Sequence, residues 1–305
     1  MPISATDPNY TIQRKLIVHV SFVPLRNVCN YMQHCQSRDI MRFLIRLHTS
    51  FKNTIPINYQ YPLSAAIYSI INKADYHYAS FLHERGYGKG FKFFSFSQLR
   101  SPFRIEGDRM KLLSPHVEFE ITFHMPEASQ NFIKGLFMSQ RIEIADRKSK
   151  VSFMVTSVES LANPFQGINE NQIINIRLKP ISPMVVGLHN QEGNYEFLAP
   201  DDRRFSESLI YNWRNKISAS YDEQTAREAV LLIEIILLEK PPKSRLITVK
   251  AGEPEETKIR GWMHFALQVT GEKQFVELLM NCGAGVYNAQ GMGCVGVLEK
   301  TSKEK

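Results

Sequence analysis

The chain has 305 residues, with 37 Lys and Arg against 30 Asp and Glu, and so a formal charge of +7. Apolar residues make up 43% and aromatics 11%, which excludes a disordered chain, since such chains lack the side chains to build a core. The length exceeds one typical core, so two domains are expected. The four cysteines form no CxxC pair, which argues against a disulfide scaffold and a thiolate zinc site.

Those cysteines (Cys29, Cys35, Cys282, Cys294) fit a reducing cytoplasm. No stretch is long enough to cross a membrane; the most apolar run, Ala229 to Leu238, is short and carries Glu234. Leu16 to Leu25 is interrupted by His19 and Pro24 and reads as a poor signal peptide. A pI near 9.1 admits nucleic acid as a partner, and fits an ordinary solvated surface as well.

Residues 1–40 show little periodicity and read as an extension, with the functional chain expected to start at Met41. From Met41 the pattern alternates, with Phe43, Ile45 and Leu47 on one face and Arg42 and Arg46 on the other, as in a half-buried strand. After a loop, Pro62 stands at a plausible first helical position, followed by Leu63, Ala66, Ile67, Ile70 and Ile71 at helical spacing. Asp75 is a candidate cap for a second helix that runs to about Arg85 and is closed by Gly86. Strands are expected at 91–97, 104–106, 110–113 and 117–123, a helix at 127–138, and strands at 141–144 and 151–159. That order, β-αα-β-β-α-β, is a ferredoxin-like unit with a split first helix.

Leu161 to Glu170 is the best linker. Beyond it the element order repeats: a strand at 173–178, a helix at 201–218 with Phe205, Leu209 and Trp213 at i, i+4 and i+8, a strand at 229–239, a hairpin-like pair at 246–250 and 259–270, a helix at 274–281 and a strand at 294–298. The expected class is α+β, with two tandem ferredoxin-like (βαββαβ) domains at residues 41–165 and 166–305.

The most specific motif is Gly283-Ala-Gly285-Val-Tyr-Asn-Ala-Gln-Gly291-Met-Gly293, two GxG units five residues apart, with Gly296 just after. Glycine lets a backbone approach a ligand, and successive free N–H groups can hold a phosphate. No Gly-Lys-Ser or Gly-Lys-Thr follows, so this is not a Walker loop, and it sits between a helix and a strand, unlike a dinucleotide fingerprint. A tight helix-to-strand turn is the competing account; the density of glycine favours function.

This motif resembles the signature of the CRISPR-associated RAMP endoribonucleases that mature precursor CRISPR RNA, the sixth member of the Cas series. Met41-Arg-Phe-Leu-Ile-Arg-Leu47, Tyr61-Pro-Leu-Ser-Ala-Ala-Ile-Tyr68, Phe81-Leu-His83-Glu84 and Lys92-Phe-Phe-Ser-Phe-Ser97 resemble the same family block by block, from Met41 to about Leu298. The resemblance implies two ferredoxin-like folds and metal-independent cleavage of CRISPR repeat RNA, with no cofactor. It implies an active site of tyrosine, histidine and lysine, which fall by block match on Tyr68, His83 and Lys92. CRISPR repeat RNA is the implied partner, with other CRISPR effector subunits and a homodimer open.

The residue types suit that chemistry. RNA carries its own nucleophile, the 2′-OH, so cleavage needs proton transfer and compensation of charge on the phosphorane. Histidine transfers protons near neutrality, and a helix C-terminus favours its imidazolium. Lysine offsets developing charge, and a tyrosine hydroxyl can position the reacting groups. Taken singly, His83 also reads as a dipole-stabilising helix end, and Lys92 as a strand-edge lysine. Lys89 competes with Lys92, and Tyr61 and Tyr87 with Tyr68.

Residues 83–111 hold seven Lys and Arg against three acids, and Lys240, Lys243, Arg245 and Lys250 form a second basic stretch without an acid. Lys89, Lys240, Lys243, Arg245 and the loop glycines Gly283, Gly285, Gly291 and Gly293 are the expected RNA contacts. Phe91, Phe94, Phe96 and Phe103 read as core more than as base-stacking platforms. No metal site is expected: His83-Glu84 begins an HExxH pattern, but Tyr87 stands where the second histidine belongs. Two other classes fit less well, a non-catalytic RNA-binding subunit and a phosphate-binding metabolic enzyme.

Overall fold

The computed structural model describes residues 17–19, 41–50, 53–189, 195–250 and 254–298. The remainder of the 1–40 segment, including Cys29 and Cys35, lies outside the described residues.

The first half is built on β2 (Arg42–His48), β4 (Phe94–Phe96), β7 (His116–Phe123) and β9 (Lys150–Ser160), after β1 (Ile17–His19), which lies along β9. Their antiparallel order, β9-β2-β7-β4, is the ferredoxin-like arrangement, and β8 (Arg141–Ala145) extends it on the β9 side. Helix α1 (Gln60–Ala74), α2 (Tyr76–Glu84) and α3 (Pro126–Ser139) complete this half. Leu63, Ile67, Ile70 and Ile71 of α1 and Phe132, Ile133 and Leu136 of α3 are buried in one core with Phe43, Ile45, Phe119 and Ile121 of the sheet. A small sheet of β3 (Thr54–Pro56), β5 (Phe103–Glu106) and β6 (Arg109–Leu112) sits beside it.

Helix α1 begins two residues earlier than Pro62, which therefore occupies the first turn rather than its first position. The backbone N–H groups of that turn have no intrahelical partner, so proline costs nothing there. Asp75 caps α2 as expected, accepting from Tyr78 N at 2.9 Å. The expected strand at 91–97 is shorter, because Phe93 adopts a left-handed backbone (φ 50°) and Phe91 pairs instead with Tyr87. Phe94 and Phe96 are core residues, whereas Phe103 is exposed on β5. The arginines on the far face of β2 meet carboxylates: Arg42 lies 2.8 Å from Glu120 and Arg46 3.0 Å from Glu159.

The second half repeats the topology. Strands β10 (Ile173–Pro180), β13 (Leu231–Leu237), β16 (Phe265–Glu272) and β17 (Val295–Val297) pair antiparallel as β13-β16-β10-β17. Helices α4 (Arg204–Ser220), α5 (Glu223–Glu228) and α6 (Lys273–Cys282) accompany them. Phe205, Leu209 and Trp213 of α4 are buried against Phe265, Leu267 and Val269. Sequence periodicity misses two features here, α5 and the hairpin of β11 (Gly187–His189) and β12 (Tyr195–Phe197); both are too short to carry a period. The segment 259–270 is not one strand. His264 turns in a left-handed conformation (φ 64°), so β15 (Thr257–Met263) pairs with β14 (Lys243–Val249), while β16 enters the main sheet.

The halves are hydrogen-bonded to one another. Arg42 donates to Val295 O (2.8 Å), Thr122 to Asn281 O (2.9 Å) and Ser64 to Ala289 O (2.7 Å). Phe93 leaves its own half to join the core of the second. Among the described residues, no helix is long and apolar enough to cross a membrane.

Candidate active site

Three segments meet at the seam. Helix α1 brings Tyr68, one residue past the buried Ile67 and so at the edge of the apolar face. The last turn of α2 brings His83, exposed, and Gly86 to Gly90 then turn the chain back so that Lys92 approaches the same helix end. The Tyr68 and His83 rings meet edge to face with centroids 5.4 Å apart, and the Phe94 ring of β4 meets the Tyr68 ring edge to face at 5.6 Å. Lys92 Nζ donates to the His83 backbone carbonyl at 2.9 Å. That carbonyl lies in the last turn of α2, where intrahelical donors run out, so the ammonium satisfies it.

All three side chains line one cavity of about 580 Å³. The opposite wall is the glycine-rich loop: Gly285, Val286, Tyr287, Asn288, Ala289 and Gln290. Tyr61 and Lys89, the competitors for the tyrosine and lysine roles, also line it. Tyr87 does not; its hydroxyl lies 3.2 Å from that of Tyr78, and its ring stacks on Phe93. Lys89 Nζ donates to Asn215 of α4 at 3.0 Å. The lining carries three lysines, Lys89, Lys92 and Lys216, and no carboxylate. Burial pushes the Tyr68 phenol well above the ordinary tyrosine range and lowers Lys92 from the ordinary lysine value. Tyr68 therefore stays protonated at neutral pH, while Lys92 becomes a readier acid than a surface lysine.

Part of the glycine loop's backbone is taken up within the fold. The N–H groups of Ala284, Val286, Gly291 and Gly293 donate to carbonyls of Gly293, Val185, Asn288 and Pro183, so they do not form a free row. Its carbonyls turn inward instead, onto Lys216 of α4. That ammonium donates to Gly283 O (2.6 Å), Gly285 O (3.0 Å) and Asn288 Oδ1 (2.7 Å). Burial lowers its pKa to about 8, and the adjacent Cys282 thiol is pushed up to about 12. Packing also dictates glycine in this loop. A Cβ on Gly291 would stand 2.4 Å from the Phe96 ring and one on Gly293 1.8 Å from Ala284 O, and both residues have positive φ.

Sequence reasoning did not find Lys216, although a signal exists. It falls at i+11 from Phe205, on the same buried stripe as Leu209 and Trp213. Of the expected RNA contacts outside the cavity, Lys240 and Lys243 are exposed around the start of β14. Arg245 is different: its guanidinium donates to Ile57 O at 2.6 Å and lies 6.0 Å from the Tyr59 ring, so it ties β14 to the first half. Among the described residues, no group of three His, Cys, Asp or Glu is placed to hold a metal ion.

Comparison with known proteins gives the same two-part division. The family profile described as CRISPR-associated protein Cas6, N-terminal, matches residues 54–159, and that described as CRISPR associated protein Cas6, C-terminal, matches residues 166–297. The chain is similar to the CRISPR-associated endoribonuclease Cas6 1 of Methanocaldococcus jannaschii, 28% identical over 274 residues and covering 88% of this chain and 97% of that protein. It is 25% identical over 270 residues to the CRISPR-associated endoribonuclease Cas6 of Pyrococcus furiosus, covering 87% of this chain and 93% of the relative. A solved structure from a Cas6-related gene of Pyrococcus furiosus superposes with a TM-score of 0.68 at 22% identity, covering 86% of this chain and all of the other, and shares the fold. With two ferredoxin-like halves, both family profiles matched and full-length relatives of the same kind, the chain belongs to the Cas6 family of CRISPR-associated proteins.

Proposed function

We propose that this chain is an endoribonuclease that cuts precursor CRISPR RNA within the repeat, without a metal ion, using Tyr68, His83 and Lys92. The observation that carries the reading is the convergence of these three side chains, from three separate segments, on one cavity rich in lysine. The endoribonuclease names of the two full-length relatives support it. On this reading residues 41–165 supply the catalytic groups, and residues 166–305 supply the opposite wall.

The reaction needs no component beyond RNA. The ribose 2′-oxygen attacks the adjacent phosphorus and loses its proton. The bond from phosphorus to the 5′-oxygen breaks, and that oxygen gains a proton. The products are a 2′,3′-cyclic phosphate and a 5′-OH. His83 moves one of these protons, since imidazole alone titrates near neutrality. Its exposed place in the last turn of α2, edge to face with the Tyr68 ring, suits donation to the leaving oxygen. Lys92 has three N–H donors; one is held by His83 O, and the others are available to the phosphorane oxygens. Tyr68, held protonated by burial, donates a hydrogen bond and orients the reacting ribose or phosphate.

RNA is held by the cationic lining, with Lys89 at the rim and the exposed Lys240 and Lys243 farther out. The loop glycines Gly283, Gly285, Gly291 and Gly293 contribute by shaping the wall, and the N–H groups of Gly291 and Gly293 are already hydrogen-bonded within the fold. The test is a repeat RNA incubated with protein in excess EDTA and read on a denaturing gel. Cutting at one site, abolished by a 2′-deoxy substitution at that site, is the expected result; no cutting, or cutting that survives the substitution, overturns the reading.

A further inference from the structure

Lys216 comes from α4 of the second half, is only 1% exposed, and yet lines the catalytic cavity. Burying an ammonium costs several kcal/mol in the absence of compensation, and an apolar side chain would fill the space without that cost. Packing therefore does not account for the residue. What the ammonium does, and a methyl group would not, is gather acceptors: each of its three N–H bonds meets one of Gly283 O, Gly285 O and Asn288 Oδ1.

Those acceptors control the rest of the loop. Asn288 uses its amide Nδ2 on Ala284 O (3.2 Å) and Met292 O (3.0 Å), tying the start of the loop to its end. The next residue, Ala289, accepts from Ser64 on α1, one turn before Tyr68. On its other side the Lys216 ammonium lies 6.0 Å from the ring of Phe91, the neighbour of Lys92. The ammonium thus holds the glycine loop and stands over the ring of the residue beside Lys92.

We propose that Lys216 is a positioning residue for RNA cleavage: by drawing three loop oxygens onto one ammonium, it sets the wall that presses the scissile nucleotide toward Tyr68, His83 and Lys92. The proposal rests on the reading of this cavity as the active site. It assigns the second half of the chain a part in the chemical step as well as in RNA binding.

The experiment compares wild-type chain, Lys216→Met and Asn288→Ala by single-turnover cleavage of repeat RNA, by affinity for the 2′-deoxy repeat, and by thermal unfolding. A misplaced wall lowers rate without lowering affinity, so Lys216→Met is expected to cut about 10- to 100-fold more slowly while binding the deoxy repeat as wild type does. Asn288→Ala, which removes one Lys216 acceptor and the two amide bonds that join the loop's ends, is expected to be slowed comparably, again at wild-type affinity. A folded Lys216→Met that cuts at the wild-type rate overturns the proposal, as does one that loses affinity and rate together. If Lys216→Met does not fold, Asn288→Ala decides: slowed cutting at unchanged affinity supports the role, and an unchanged rate overturns it. A wild-type chain that leaves the repeat uncut defeats the reading of the cavity itself, and this role with it.

Discussion

The Lys92 ammonium donates to the backbone carbonyl of His83 at 2.9 Å, so the proposed proton-transfer residue and the proposed charge-compensating residue are joined through the end of α2. The bond holds the segment before β4 against the last helical turn. It anchors the cation on the histidine's backbone and leaves the imidazole unoccupied by it, with both residues lining one cavity.

Replacing His83 with alanine removes the group that moves protons and leaves the lysine-rich lining in place. Cleavage is expected to fall about 10²- to 10⁴-fold, with affinity for the repeat unchanged. Single-turnover gels and filter binding check the two halves of this statement, and full cutting by the variant would remove His83 from the mechanism.

Lys92 and Lys89 are separable. Lys92→Ala is expected to slow cleavage about 10²- to 10³-fold, the size of losing one stabilising donor at the phosphorane. Lys89→Ala, whose ammonium sits on Asn215, is expected to weaken binding and to reduce its salt dependence while the rate at saturating protein stays close to wild type. The reverse pattern would move the catalytic assignment to Lys89.

Gly291→Ala sets a Cβ against the Phe96 ring, at a backbone φ of 80°. The expected cost is about 1–3 kcal/mol of stability, from strain and the displaced ring. Denaturant unfolding measures it; a change below about 0.5 kcal/mol, the range of ordinary surface substitutions, would mean that the loop relaxes freely.

Arg245 and Lys243 lie two residues apart and should respond differently. Arg245→Ala breaks a hydrogen bond from a charged group to Ile57 O and is expected to cost about 1.5–3 kcal/mol of stability. Lys243→Ala leaves the melting temperature alone and is expected to lower the slope of log affinity against log salt by about 1. Equal effects of both on the salt slope would return Arg245 to the RNA-binding surface.

His124 gives the fold an acid limit. Its Nε2 lies 3.0 Å from Ser220 Oγ across the seam, and burial pushes its pKa from 6.5 down to about 4. Between those values the unfolded chain binds a proton that the folded chain refuses, so stability is lost as pH falls from 6.5 toward 4. The contribution is about 3 kcal/mol over the whole window. His124→Leu is expected to flatten this part of the stability curve, and unfolding midpoints of the two proteins between pH 7 and 4.5 compare them directly.

Local elements and chemical types were legible in the order of residues. Alternation along 42–48, the Asp75 cap and the Phe132–Leu136 face each follow from interactions between neighbouring residues, so they can be read without the fold. The block match also brought Tyr68, His83 and Lys92 together as candidates. What the glycine loop and the cations touch is set by long-range packing. A glycine permits an anion cradle and a close turn equally, and which arises depends on whether Phe96 and Ala284 O crowd it. A lysine on a buried helix stripe and an arginine in a basic run show nothing of their partners until distant carbonyls, Gly283 O for Lys216 and Ile57 O for Arg245, come within hydrogen-bond reach. The partners of a charge are chosen by the whole chain's packing, and no local pattern encodes them.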